Sequence, residues 1–208
     1  MLIVPYEPAR AEIVVVNSRF IASLSPADSV EAARSFIEAA RREFRDATHN
    51  VPAFIVGGGA SVTEYCSDDG EPSGTSGRPL LAALKGSGLG NVVVVVTRYF
   101  GGALLGTGGL VKAYSEAGKA VLAITRRARL VETRRVSFSL PYRLFDRVKI
   151  AVGESGATIV SEGFAEEITM EVDVEEDGLE SFCAKLSDIS SGGVAPRAEP
   201  ARLASVPL

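Results

Sequence analysis

The sequence is poor in the residues that build disulfide frameworks and histidine-rich metal sites. Its 208 residues include two cysteines, one histidine (His49) and no tryptophan. Cys66 and Cys183 are far apart and form no C-x-x-C pair, so neither a disulfide scaffold nor a common zinc motif is expected. No apolar run approaches the ~20 residues that cross a bilayer, and the start lacks a basic segment followed by an apolar one. These absences predict a cytoplasmic protein with no metal, no cofactor and no membrane partner.

The overall composition is that of a globular protein, and the charge distribution divides the chain into two segments. Hydrophobic residues make up 46% of the chain, charged residues 23%, and the formal net charge is −4. Residues 1–130 carry 14 Lys and Arg against 12 Asp and Glu, whereas the remainder carries 8 against 14. Because the hydrophobic pattern changes at the same point, we predict two domains, residues 1–128 and residues 129–208.

Hydrophobic periodicity predicts that the first domain mixes helices and strands around one buried strand. The predicted elements are a strand at 12–24, a helix at 30–44, strands at 52–56 and 61–66, a helix at 78–85, a strand at 92–96 and a helix at 106–124. Five consecutive valines at 92–96 are typical of a strand that is covered on both faces. Asp28 and Glu31 are predicted to form the capping box of the first helix, and Gly57-Gly58-Gly59 the turn of a hairpin.

The second domain has a β-α-β-β-α-β pattern, which predicts a ferredoxin-like sandwich and, for the whole chain, an α+β fold class. The predicted elements are a strand at 131–140, a helix at 142–153, strands at 158–162 and 168–174, a helix at 179–189 and a strand at 194–206. Cys183 falls on the apolar stripe of the second helix, so we expect a core side chain and not a reactive thiol.

Two glycine-rich segments that lead into helices are the main candidates for binding. We call residues 67–77 the first glycine loop and residues 100–109 the second glycine loop. Backbone N–H groups that converge at a helix start attract anions, so both loops are predicted to bind phosphate or carboxylate groups. Neither loop has the spacing of a P-loop or of a dinucleotide-binding motif. The predicted nucleic-acid or anion-binding residues are Ser73, Gly74, Thr75, Ser76, Gly77, Arg78, Arg98, Tyr99, Gly101, Gly102, Gly106, Thr107, Gly108, Gly109 and Lys112.

A second set of polar residues is predicted to order these loops. Its members are Asp46, His49, Asn50, Asp68, Asp69 and Glu71. Acidic side chains in such loops more often cap N–H groups or pair with arginine than hold Mg²⁺, so no catalytic residue is assigned. The alternative hypothesis is a small hydrolase or phosphotransferase for a phosphorylated or peptide-like substrate. In that alternative His49 is the base, with Ser73 or Ser76 as nucleophile, or with Asp69 or Glu71 holding a metal.

A third hypothesis is a protein-interaction module that docks through the second domain. An acidic run there suits a basic protein partner, although solvated strand edges are the simpler interpretation. The run consists of Glu166, Glu167, Glu171, Asp173, Glu175, Glu176 and Asp177.

Four segments resemble the signature of the IMPACT family. They are residues 46–50 (DATHN), 67–79 (SDDGEPSGTSGRP), 94–102 (VVVTRYFGG) and 105–114 (LGTGGLVKAY). The resemblance implies that the first domain adopts the βαβ fold shared by a small-subunit ribosomal protein, elongation factor G domain IV and galactokinase-type kinases. It also implies that the second domain is similar to the ferredoxin-like domain V of elongation factor G.

The resemblance further implies a tie to translation and RNA. Eukaryotic members of the family restrain an amino-acid-starvation kinase by competing for its ribosome-associated activator, but they use additional N-terminal sequence, so that mechanism is not carried over to this chain. By this likeness the chain is expected to be a non-enzymatic binding or regulatory protein linked to translation. RNA or ribosome-associated factors are then the expected partners. A likeness of fold alone does not establish that role.

Overall fold

The computed structural model describes residues 2–58 and 61–208, and Gly59 of the expected hairpin turn lies outside these ranges. The chain forms two compact units, one of Met1–Arg129 with Ser205–Leu208 and one of Leu130–Ala204. Both units contain helices and strands, so the α+β prediction is confirmed. Across the described ranges, every helix is too short or too polar to cross a membrane.

The first unit is built on a five-stranded sheet in the order β2-β3-β6-β4-β5, with antiparallel neighbours throughout. The five strands of this sheet are β2 (Ala9–Val15), β3 (Ser18–Pro26), β4 (His49–Gly58), β5 (Ser61–Cys66) and β6 (Val92–Tyr99), and the unit also contains β1 (Leu2–Pro5), which lies outside this sheet. Its helices are α1 (Val30–Glu43), α2 (Gly77–Ser87) and α3 (Gly106–Ile124).

The valine-rich strand β6 lies at the centre of this sheet. Val92, Val94 and Val96 pack in one core with side chains of α2 and α3. Val93 and Val95 pack in a second core with side chains of α1. Helices therefore cover both faces of β6, which confirms the interpretation of the five valines. Near the end of β6, Arg98 contacts Glu71 of the first glycine loop, which leads into α2.

Two details of the first unit differ from the sequence analysis. The single strand predicted at 12–24 is wrong, because the chain turns back at Val16 and Asn17, whose φ angles are 45° and 64°. Asparagine tolerates this left-handed region, but the apolar run before it conceals the turn. The predicted capping box is also wrong, since the hydroxyl of Ser29 accepts the Ala32 N–H at 3.1 Å and caps α1.

The second unit follows the predicted order of elements. They are β7 (Arg127–Leu140, which begins in the first unit), α4 (Phe145–Glu154), β8 (Thr158–Phe164), β9 (Ile168–Glu175), α5 (Leu179–Ser190), β10 (Arg197–Ala198) and β11 (Arg202–Pro207). Strand β9 lies between β7 and β8, and β10 and β11 both pair with β7. The strand predicted at 194–206 is thus two short strands, and Pro200, which has no N–H to donate, lies in the gap.

The core of the second unit lies between its sheet and its two helices. Phe182 and Leu186 of α5 are fully buried there with the alternate residues of β7 and β9. Cys183 is only partly buried, and burial raises the pKa of its thiol. A thiol with a raised pKa is a poor nucleophile, but the expected core position is wrong, because Cys183 is not among the side chains that form this core.

Candidate functional site

The carboxylate of Asp68 binds the backbone N–H groups of the first glycine loop. It accepts hydrogen bonds from the N–H groups of Gly74 at 2.8 Å, Ser76 at 3.1 Å and Gly77 at 2.8 Å. The hydroxyl of Ser76, the residue that precedes α2, donates to the same carboxylate at 2.8 Å. Burial opposes ionisation of this carboxyl, but the hydrogen bonds outweigh it and lower the pKa of Asp68. The amides expected to receive an external anion therefore already hold an internal one.

Glu71 connects the first glycine loop to β6 and α3. Its side chain is 3% exposed, and its Oε1 accepts from Arg98 Nη1 at 2.7 Å and from the Tyr114 hydroxyl at 2.8 Å. His49 Nε2 lies 3.9 Å from Glu71 Oε2. Burial, together with the bond to Glu71, raises the pKa of Tyr114, so the phenol stays protonated and remains a donor. One carboxylate thus ties three parts of the chain together.

The side chain of Arg98, which the sequence analysis predicted to bind an anion, points into the interior of the first unit. Its side chain is 6% exposed, and its guanidinium carbon lies 5.6 Å from the ring centres of both Phe20 and Phe100. The Nε atom has no hydrogen-bond partner in residues 2–58 and 61–208. Because Glu71 supplies the carboxylate, the charge of Arg98 is neutralised inside the fold and does not face solvent.

Asp69 and Asn50 make contacts of the kind expected from residues that order a loop. Asp69 accepts from Arg41 at 2.9 Å and from the Asn50 N–H at 2.7 Å, and its carbonyl lies 2.7 Å from His49 Nδ1. The amide oxygen of Asn50 in turn accepts from the Thr97 hydroxyl at 2.7 Å. These bonds attach the first glycine loop to α1, β4 and β6.

Most residues of the hydrolase alternative are bonded to internal partners, and Ser73 is the exposed exception. His49 binds the carbonyl of Asp69, and Ser76 donates its hydroxyl to Asp68. Within the described ranges, no three His, Cys, Asp or Glu side chains are grouped to hold a metal ion. Asp69 and Glu71 are occupied by arginine, tyrosine and amide donors, so the arrangement does not favour this alternative.

The second glycine loop is anchored at its beginning. Tyr99 donates its hydroxyl to Asp46 at 2.9 Å. The N–H of Gly101 donates to the Ser18 hydroxyl at 3.2 Å, and a Cβ at Gly101 would lie 2.1 Å from the carbonyl oxygen of Asn17. Only glycine allows this close approach to the β2–β3 turn.

The remainder of the second glycine loop is open. Leu105 precedes α3 and makes no side-chain capping bond, and the first turn of the helix has no acidic residue. The side chain of Lys112 is 77% exposed and lies 3.8 Å from Glu116. Phe100 and Leu104 are 47% and 90% exposed. The start of α3 therefore presents N–H groups beside a lysine and exposed apolar side chains.

Most of the other predicted binding residues lie at the surface. In the first glycine loop Ser73 and Arg78 are exposed, but Thr75 is buried and donates its hydroxyl to the Pro72 carbonyl at 2.7 Å. The exposed members at the second glycine loop are Gly102, Gly106, Thr107 and Gly108, and Gly109 is half-buried.

The sequence analysis missed the polar role of Tyr114. It lies on the buried face of α3, yet its hydroxyl bonds to Glu71. A tyrosine on a buried helix face needs a hydrogen-bond partner, and that requirement was the available signal. Arg41 and Thr97 were also missed, and nothing in their local sequence indicates their partners.

The acidic run of the second unit is partly neutralised. Asp173 accepts from Arg135 at 3.1 Å and from Arg202 at 2.8 Å, while Glu176 pairs with Arg134. Burial opposes ionisation of Asp173, but the bonds from both arginines lower its pKa. This leaves less negative charge for a basic partner than the sequence suggests, although residues 166–167 are exposed.

Comparisons with known proteins cover both units. Residues 16–122 match the Impact N-terminal domain, and residues 138–192 match a domain of unknown function, DUF1949. The IMPACT family member YigZ of Escherichia coli K12 is 35% identical over 193 residues, which cover 92% of this chain and 95% of that protein. The IMPACT family member YvyE of Bacillus subtilis 168 is 34% identical, over 89% of this chain and 85% of its own length.

A solved structure agrees with these matches. The crystal structure of a hypothetical protein, 35% identical, superposes with a TM-score of 0.63 over 96% of this chain and 97% of that one. The family signature, both domain matches and this superposition point to one conclusion: the chain belongs to the IMPACT family.

Proposed function

We propose that this protein is a non-enzymatic, cytoplasmic binding protein linked to translation, and that the second glycine loop contacts RNA or another anionic partner. The link to translation rests on membership of the IMPACT family. The observation that carries the binding site is the start of α3, which no side chain among residues 2–58 and 61–208 caps, whereas Asp68 caps the start of α2. Free N–H groups at a helix start favour phosphate.

The chemistry around the start of α3 suits a nucleic acid. Lys112 lies one helical turn after Gly108, on the same side of α3, and its exposed ammonium group adds a positive charge. Phe100 is exposed at the other end of the loop, where its ring is available to stack on a base. Phosphate contacts give affinity and stacking gives a preference for unpaired bases.

In this proposal the first glycine loop and Arg98 act as support. Glu71 holds Arg98, and Arg98 lies against the ring of Phe100. Arg98 is therefore a positioning residue that fixes Phe100 and does not touch the partner. Gly74, Ser76 and Gly77 contribute through Asp68, which keeps α2 in place.

We also propose the finer assignments of fold that the family resemblance implies. In the second unit β7 lies between β9 and the terminal strands β10 and β11, an order that supports a ferredoxin-like class similar to domain V of elongation factor G. For the first domain, residues 1–128, we propose the βαβ class of elongation factor G domain IV. The second domain is then residues 129–208.

Filter binding to ribosomes and to structured RNA at several salt concentrations tests the proposed function. Affinity should fall as salt rises, and Lys112→Glu should lower the salt slope by about one, because one phosphate contact is lost. Phe100→Ala should weaken binding to unpaired RNA by about 1–3 kcal/mol. Lys119→Glu, at an exposed lysine further along α3, is the matched control and should bind like the parent protein. Salt-independent binding, or equal losses in both lysine variants, would exclude the second glycine loop.

A further inference from the structure

Strand β5 is the less protected edge of the five-stranded sheet. Its six residues carry one charged side chain, Glu64, which pairs with Lys85 of α2 at 2.9 Å. The opposite edge, β2, carries Arg10 and Glu12, both held in ion pairs. Charged side chains on an edge strand discourage pairing with another chain, and β5 has few of them.

The register of β4 and β5 shows which backbone groups of β5 point outward. The Ser67 N–H donates to the Pro52 carbonyl at 3.2 Å, so alternate residues before Ser67 face β4 with their hydrogen-bonding groups. The N–H and C=O groups of Val62 and Glu64 consequently point to the open side. The bond of Gly57, which is opposite Val62, is consistent with this register. Its N–H points away from β5 and donates to Asn91 Oδ1 at 2.8 Å.

A pocket of about 270 Å³ lies beside this edge, between α1 and β5. Tyr65 forms its border on β5 and stacks on Phe54 with ring centres 5.2 Å apart. The pocket is lined by Arg34, Ile37, Glu38, Arg41 and Tyr65. A chain added along β5 would direct every second side chain to this face of the sheet, where the pocket has room for one of them.

The charge of the pocket selects an acidic side chain. Two arginines face one glutamate there, and Arg41 is already bound to Glu38 and to Asp69 at 2.9 Å each. Arg34 makes no ion pair within residues 2–58 and 61–208, and it is exposed. A carboxylate that enters the pocket can therefore form a charge-assisted bond with Arg34 without displacing an internal partner.

We propose that β5 accepts an extended peptide of a partner protein as an additional strand, with one Asp or Glu side chain of that peptide beside Arg34. Backbone bonds to Val62 and Glu64 supply affinity, and the pocket supplies specificity. This surface is separate from the second glycine loop, so the proposed function can fail while this proposal stands, and the reverse also holds.

Selection of short random peptides on the full chain, followed by fluorescence polarisation with the enriched peptides, tests the proposal. The enriched peptides should share one acidic position among alternating β-forming residues. Arg34→Glu should weaken their binding about tenfold or more, because a charge-assisted bond is replaced by repulsion. Arg42→Glu, the same change at an exposed arginine of α1 outside the pocket, should have little effect.

A second pair of variants tests the backbone contribution. Glu64→Pro removes an N–H that points outward, so the β4–β5 ladder remains and circular dichroism should be unchanged. Peptide binding should fall about tenfold or more relative to Glu64→Thr, which keeps the N–H. Three results would overturn the proposal: no enriched peptide, equal binding by both variants of either pair, or a dimer of this chain that Glu64→Pro dissociates.

Discussion

The two glycine loops are similar in sequence but differ in what their amides bind. In the first, the N–H groups of Gly74, Ser76 and Gly77 all donate to Asp68. In the second, Leu105 makes no capping bond, and no other side chain in the described part of the chain caps the start of α3. Glycine lets amides converge in both places, but a nearby carboxylate decides whether they serve the fold or remain available to a ligand.

This difference supports the proposal that the first loop stabilises the fold and that the second contacts a ligand. An external anion at the first glycine loop would have to displace a carboxylate held by three amides and a hydroxyl. Glu71 adds a second internal tie, to Arg98 and Tyr114. Changes in the first loop should therefore destabilise the protein, whereas changes at exposed side chains of the second loop, such as Leu104, should leave stability almost unaltered.

The largest effect is expected from Glu71→Ala. The change leaves Arg98 buried without its carboxylate and removes the acceptor of the Tyr114 hydroxyl. We expect a loss of about 3–5 kcal/mol in the free energy of unfolding of the first unit. Urea unfolding followed by circular dichroism measures it. Glu71→Gln, which keeps an acceptor oxygen, should lose less, and equal losses in Glu71→Ala and Lys112→Ala would contradict the division between the loops.

Gly77→Ala should also destabilise the first unit. A Cβ at this position would lie 2.6 Å from the Ser67 carbonyl oxygen, so the backbone must shift and strain the bonds to Asp68. We expect a loss of about 1–3 kcal/mol in the free energy of unfolding. The same urea titration measures it, and a variant as stable as the parent would show that the first loop is not tightly packed.

Most helices and strands could be predicted because each is indicated by residue types that lie within a few positions of one another in the sequence. The five valines of β6 and the glycines that end α2 identify these elements without knowledge of the fold. The hairpin of β2 and β3 was missed because Val16 occupies a turn position that valine rarely adopts. Tertiary context overrode residue preference there.

The buried cluster of the site was less predictable for a different reason. Glu71 bonds to residues 27 and 43 positions away, so no spacing rule identifies its partners. One signal was available. Arg98 follows a run of valines in a strand covered on both faces, and a buried arginine requires a carboxylate. Which of the nearby acids supplies it is decided only by packing.

Asp68→Asn tests the first loop through pH. The pKa of Asp68 is lowered in the folded protein, so ionised Asp68 contributes stability above its unfolded pKa, about 3.9, and loses it as pH falls through the folded value. At neutral pH the variant should lose about 0.5–2 kcal/mol in the free energy of unfolding. The difference from the parent should shrink below about pH 4. Urea titrations across pH measure it, and a constant difference would mean that the carboxylate charge is not what stabilises the start of α2.

The smallest effect, and one of opposite sign, is expected from Gly108→Ala in the second loop. A Cβ at this position meets no atom within 4 Å, and the residue lies in the first turn of α3. Because alanine favours a helix more than glycine does, the first unit should gain up to about 1 kcal/mol in the free energy of unfolding. Calorimetry or urea unfolding measures the gain. A loss of stability instead would mean that the surface around Gly108 is covered in solution. The two glycine loops would then not differ in the way proposed, because alanine would destabilise the protein at Gly108 as it does at Gly77.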